Sequence, residues 1–168
     1  MSLLQRVPAP GWVLTCVIAS LIGLSAQTAN PLSGTWRTNI AKSTFSPANL
    51  AVKSSTTKIE VTPGGIKLVN DGVDAQGRAT RTEYTAQFDE KDYPIKATID
   101  GRPSPNQDTV AWKKIDDYTY ENTAKLKGQA LTTTRVVISR DGKTRTNTVT
   151  GKNAQGQTVN NTQVFEKQ

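Results

Sequence analysis

Residues able to carry proton transfer or nucleophilic attack are few in this chain. Its 168 residues include no histidine, one cysteine (Cys16) and one methionine (Met1). A serine triad needs an imidazole to shuttle its proton. Thiolate nucleophiles, zinc centres and iron–sulfur clusters need cysteine or histidine. Haem is usually held by His, Cys or Met, which leaves only tyrosine ligation open. No metal site and no cofactor is therefore expected. Carboxylate, lysine or tyrosine chemistry remains, with Glu83, Glu121 and Asp108 as candidate acids. To work as an acid–base pair they would have to converge, with one pKa raised, and nothing in their spacing brings them together. The composition favours a protein that binds over one that catalyses.

Arg135 is the most informative single charge. It lies within "TTTRVVIS", where alternation groups it with Leu131, Thr133 and Val137. If that row faces inward, a buried guanidinium requires an anionic partner and would hold a ligand carboxylate. If the row of Thr132, Val136 and Ile138 faces inward, Arg135 is a surface charge, which is the commoner outcome.

The elements that must position these residues begin after an expected export leader. Arg6 supplies a positive charge, Trp12 to Leu24 form an apolar run, and Leu24-Ser25-Ala26 ends in small residues. This is the three-part pattern of a secretory signal cut after Ala26, and thirteen residues are short against the ~20 that a spanning helix needs. The expected organisation is a removed leader at 1–26, a short tail at 27–33 and one domain at 34–168. The mature chain would keep 142 of the 168 residues, no cysteine, and 20 basic against 14 acidic residues, a net charge of +6. A domain of that size buries about two-thirds of its unfolded surface and needs no disulfide. The charges are interspersed, as in Lys113-Lys114 before Asp116-Asp117, without the basic groove and stacked aromatics that nucleic acid favours. Neither a nucleic-acid partner nor stable membrane insertion of the mature chain is expected; the compartment is periplasmic or extracellular.

From Thr56 onward the chain reads as short strands cut by turn residues. Strands are expected over 34–38, 56–62, 66–70, 78–88, 108–115, 118–126, 130–139, 143–151 and 157–167. Threonine is abundant in nearly all of them, and β-branched residues suit a pleated surface. Asp74-Ala75-Gln76-Gly77 and Asn153-Ala154-Gln155-Gly156 repeat one turn design, with a side-chain acceptor first and glycine fourth. Asp141-Gly142 is a two-residue hairpin signal. Sequential hairpins imply an antiparallel meander of about 8–10 strands, closed into an up-and-down barrel. On 78–88 the row Ala79, Arg81, Glu83, Thr85, Gln87 cannot face lipid, so Tyr84, Ala86 and Phe88 should point inward. Residues 89–107 read as a long loop.

Gly34-Thr35-Trp36 on the first strand of such a barrel resembles the opening of the calycin group, which comprises lipocalins and fatty-acid-binding-like proteins. The ending Val164-Phe165-Glu166-Lys167 is similar to the aromatic-Glu-Lys close of fatty-acid-binding proteins. Residues 34–167 as a whole resemble small secreted bacterial lipocalin-like proteins, through "GVDAQG", "DEKDYPI" and "NAQGQTVNN". The resemblance implies a barrel around a small hydrophobic or amphiphilic ligand, with Gly34 and Trp36 as structural residues at one end. In lipocalins such a tryptophan packs beneath an arginine from a late strand, a role open here to Arg145 or Arg135. Fatty-acid-binding proteins also carry an Arg-x-Tyr clamp in the last strand. Gln163-Val164-Phe165 stands in its place, and residues 40–52, broken by Pro47, leave little room for their two-helix lid.

Three readings follow, in this order. The first is a binding protein whose cavity is lined by Tyr84, Phe88, Trp112, Arg135, Gln163 and Phe165. The second is an interaction or surface module with a filled barrel and no small-molecule ligand. The third is a carboxylate enzyme. Thr82, Thr132 and Thr134 in the inward rows tip the balance to the first, because buried hydroxyls need partners.

Overall fold

The computed structural model describes residues 30–168, so the expected leader at 1–26 lies outside the described residues. The described chain is all-β, apart from one turn of 3-10 helix at Ala48–Leu50. Nine long strands form the body: β1 (Gly34–Thr44), β2 (Ser54–Thr62), β3 (Gly65–Val73), β4 (Ala79–Gln87), β8 (Thr109–Lys114), β9 (Thr119–Leu126), β10 (Gln129–Ile138), β11 (Thr144–Lys152) and β12 (Thr158–Lys167). Three short ones lie between β4 and β8: β5 (Tyr93–Pro94), β6 (Lys96–Ile99) and β7 (Arg102–Pro103). All twelve belong to one sheet, in the order β5-β8-β9-β10-β11-β12-β1-β2-β3-β4-β6-β7. The pairings are antiparallel, and β1 joins β12 to β2, so the first strand sits at the middle of the sheet.

Period-two alternation decides which face turns inward. On β4, Ala79, Arg81, Thr85 and Gln87 are exposed, while Ala86 is buried and Tyr84 packs against the core. On β10, Val136 and Ile138 are buried and Val137 is exposed. The core gathers Trp36, Ile59, Ile66, Leu68, Val110, Trp112, Tyr120 and Phe165. The paired turns behave alike. Asp74 Oδ1 accepts the N–H groups of Gln76 and Arg78, and Asn153 Oδ1 accepts those of Gln155 and Gln157. The β10–β11 hairpin is longer than its Asp-Gly pair implies. Ser139 Oγ accepts the Thr144 N–H and stitches a five-residue connection across residues 139–143.

The sheet curls into a half-barrel. Its β4 and β8 flanks approach each other through side chains more than through a ladder. Tyr84 lies 6.4 Å from Trp112, and Phe88 meets Trp112 edge-on at 6.3 Å and Tyr120 at 5.3 Å. One isolated bridge, Asp89 to Lys113, and a hydrogen bond from the Glu90 N–H to the Trp112 carbonyl mark the nearest backbone approach. The strand count of twelve exceeds the expected 8–10 because residues 89–107 are not a plain loop. They fold into β5, β6 and β7, which extend both flanks of the sheet. The first strand also runs further than its opening motif suggests. A bulge between Asn39 and Thr44 breaks its register with β12, and Ser43 Oγ repairs the gap by accepting the Val164 N–H at 3.0 Å.

Gly151 on β11 lies opposite a register shift in β10, between Ala130 and Thr132. Its φ is +133°, and a Cβ there would fall 2.2 Å from the Leu131 carbonyl oxygen. Gly151→Ala is expected to cost about 2 kcal/mol, read as a lower urea midpoint with unchanged slope. An unchanged midpoint would show that the β10–β11 pairing yields at this point.

Candidate functional site

One end of the half-barrel is sealed by the turn that precedes β1. Leu32 and Trp36 are both 0% exposed, and the Trp36 indole donates its Nε1–H to the Leu32 carbonyl at 2.9 Å. Asn30 donates to the Tyr120 hydroxyl at 2.8 Å and accepts the Leu32 N–H, so the turn is tied to β9. Ser33 Oγ accepts the Val61 N–H and ties it to β2. Gly34, at φ +137°, leaves space that the Lys167 side chain fills; a Cβ would fall 2.5 Å from Lys167 Cε. Lys167 Nζ then lies 5.1 Å from the centre of the Trp36 rings and donates to the Pro31 carbonyl.

The arginine that packs on Trp36 is Arg145 of β11. Its guanidinium carbon lies 5.5 Å from the Trp36 ring centre and 3.9 Å from that of Phe165. Arg135 is excluded from this place and from the interior. Val136 and Ile138 take the inward row of β10, and that leaves Arg135 exposed on the outer face, in register with Glu121. Contrary to the expectation from the sequence, Arg135 does not line the interior.

Above this sealed end lies a cavity of about 250 Å³. Tyr84, Trp112, Gln163 and Phe165 are among its lining residues, with Thr82 and Thr134. Phe88 is not: it sits outside the cavity, wedged between Trp112 and Tyr120. Val52 and Gln107, from the connections before β2 and β8, also line the cavity.

The cavity walls are unusually polar for an interior. Arg145 Nη2 donates to Thr57 Oγ1 at 3.2 Å, Thr57 donates to Asn70 Oδ1 at 2.8 Å, and Ser55 donates to the same oxygen at 2.6 Å. Register explains the grouping, because Trp36 pairs with Thr57 and Thr57 with Asn70, placing three inward residues in one row. Beyond this chain, four buried side-chain atoms among the described residues have no partner: Thr38 Oγ1, Trp112 Nε1, Arg145 Nε and Asn147 Oδ1. All four residues line the same cavity. Leaving such a group unpaired costs about 1–3 kcal/mol, so their convergence is a property of the site.

Charge sharpens the picture. Of the eighteen lining residues only Arg145 is ionisable at neutral pH, and no carboxylate faces it. Burial without a counter-ion lowers its pKa to about 9, which leaves it protonated at pH 7. Burial pushes the Tyr84 phenol well above its ordinary value, so it stays neutral. The candidate acids lie elsewhere. Glu83 is paired with Lys96 and Arg81, whose hydrogen bonds lower its pKa. Glu121 stands on the outer face of β9, opposite Lys113 and Arg135. Asp108 accepts the Lys127 N–H at 2.7 Å. No convergent acid–base pair forms from these three.

Sequence reasoning named Arg145 only as a partner for Trp36 and did not name Thr38, Thr57, Asn70 or Asn147. The signal was the alternation of "KTRTNTVTG", which places Arg145, Asn147 and Val149 on one face and four threonines on the other. No protein-family model matches this sequence, and no curated protein does.

A buried unpaired cation costs stability unless something binds it, and apolar replacements of buried charges are often neutral or stabilising. Arg145→Met, which keeps bulk against Trp36 and Phe165, is expected to stabilise the unliganded protein by about 1 kcal/mol. Because the folded-state pKa of Arg145 lies below its unfolded value, the penalty is complete below about pH 9 and fades as pH rises beyond it. The gain should therefore shrink across that range. A variant less stable than the parent at pH 7 would show that the guanidinium is a net stabiliser of the empty fold.

Proposed function

We propose that this chain is an exported, non-catalytic, lipocalin-like protein that holds one small amphiphilic molecule inside the curl of its sheet. The carrying observation is the meeting of four unpartnered buried polar atoms on the walls of one cavity. Protein interiors satisfy the great majority of their polar groups. A site that leaves both donors and an acceptor open, beside the aromatic side chains of Tyr84, Trp112 and Phe165, combines apolar contact with placed polar groups, as a pocket for an amphiphilic ligand does.

The cavity equals the volume of about eight water molecules, which points to a short ligand and away from a long acyl chain. The proposed export rests on the pattern of Arg6, the apolar run Trp12 to Leu24, and the small pair Ser25-Ala26. The lipocalin-like reading rests on Gly34-Thr35-Trp36 and on the arginine stacked over that tryptophan. In this reading the mature chain begins at residue 27, and residues 30–33, which seal one end of the sheet, belong to the domain together with 34–168.

The test is native mass spectrometry of the full-length chain expressed with export to a bacterial periplasm and purified without detergent. The expected result is a protein lacking residues 1–26 that carries a discrete added mass, lost on denaturation. A bare mass, together with Trp36 and Trp112 fluorescence unmoved by a panel of small amphiphiles, would overturn the binding reading. Macromolecular partners would then become the object of search.

A further inference from the structure

The proposed pocket does not treat all ligands alike. We infer that its ligand is a small carboxylic acid bearing a hydroxyl or similar donor, with the carboxylate seated on Arg145. This deepens the binding reading and rests on it.

The argument starts from what Arg145 lacks. It is 3% exposed, and its one hydrogen bond goes to a threonine hydroxyl, leaving Nε unpartnered. A buried guanidinium is ordinarily paired with a carboxylate. Here none of the eighteen lining residues is acidic. The ring faces of Trp36 and Phe165 soften the charge by cation–π contact, but they offer no hydrogen-bond acceptor. The missing partner is an anion that enters from outside the chain.

The other open groups define its shape. The Trp112 Nε1–H can only donate, and together with the Thr38 hydroxyl it leaves further donors open on the cavity wall. Asn147 Oδ1 can only accept, which calls for a donor on the ligand. Asn147 follows Arg145 by two residues on the same face of β11, so their Cα atoms lie about 6–7 Å apart along the strand and both side chains reach the same cavity. A compact aromatic acid with a hydroxyl on its ring offers the carboxylate, a separate donor and a face for the aromatic wall. A carboxylate takes a guanidinium in a planar, two-point fork that a neutral amide cannot reproduce.

The probes are 4-hydroxybenzoate, benzoate and 4-hydroxybenzamide, titrated at pH 7 into the full mature protein after unfolding and refolding to strip any bound molecule. Trp36 and Trp112 fluorescence and calorimetry both report binding. The expected order is 4-hydroxybenzoate, then benzoate, then the amide, with the amide at least tenfold weaker than its acid. Arg145→Met should abolish the acid-over-amide preference, and Arg145→Lys should keep part of it. A melting curve for each variant separates lost affinity from lost fold. Equal binding of acid and amide to the parent protein would overturn the carboxylate assignment while leaving the cavity a ligand site. Absence of binding by all three probes at millimolar concentration would overturn it as well, and the co-purified mass would then decide whether the cavity binds at all.

Discussion

The constraint that organises this structure is a single positive charge kept inside a β-sheet without a counter-charge. Arg145 is held by the ring of Phe165, by the ring of Trp36 and by one threonine hydroxyl. Each of those holders depends on another part of the chain. Trp36 is fixed only because its indole N–H finds the Leu32 carbonyl, and Leu32 is fixed because Asn30 ties its turn to Tyr120. Thr57 can accept from Arg145 because its own proton goes to Asn70. The sealed end and the polar wall are thus one construction, which places a cation at the floor of a small cavity.

Much of the fold was legible in the sequence, and for definite physical reasons. Eight of the nine long strands lie within a few residues of their expected bounds, since threonine-rich alternation between glycine, asparagine and aspartate turns has few other solutions; β1 runs six residues further, to Thr44. The inward row of β4 followed from the impossibility of burying Arg81 and Glu83. Two kinds of feature were hidden. Residues 89–107 carry three prolines and no alternation, and their strands form only because neighbouring long strands offer unpaired backbone. The arginine facing the interior was hidden because polarity pattern points the wrong way on β11. Threonine, neutral to either face, fills the outer row, and arginine and asparagine occupy the inner one.

That inversion has a thermodynamic meaning. A strand that turns its most polar residues inward lowers the stability of the empty fold, because those groups lose water and regain only part of their hydrogen bonds. A ligand that binds only the folded state returns that stability in proportion to its concentration over its dissociation constant. Hydrogen bonding is therefore complete for Trp36 and Asn30 at the sealed floor and incomplete in the layer just above. Asn147, Thr38 and Trp112 all belong to that incomplete layer.

The outermost strands of the sheet have a bearing on the molecule's life among its copies. β5 and β7 terminate the strand order, each is two residues long, and each contains a proline, Pro94 and Pro103. A proline presents no N–H to a neighbour, and two residues offer too short a template for a visiting strand. A half-barrel with long bare margins would zip onto its neighbours into fibrils. This one instead ends in two-residue stubs, so the terminal strands through which copies of an incompletely closed sheet could pair are short at both ends.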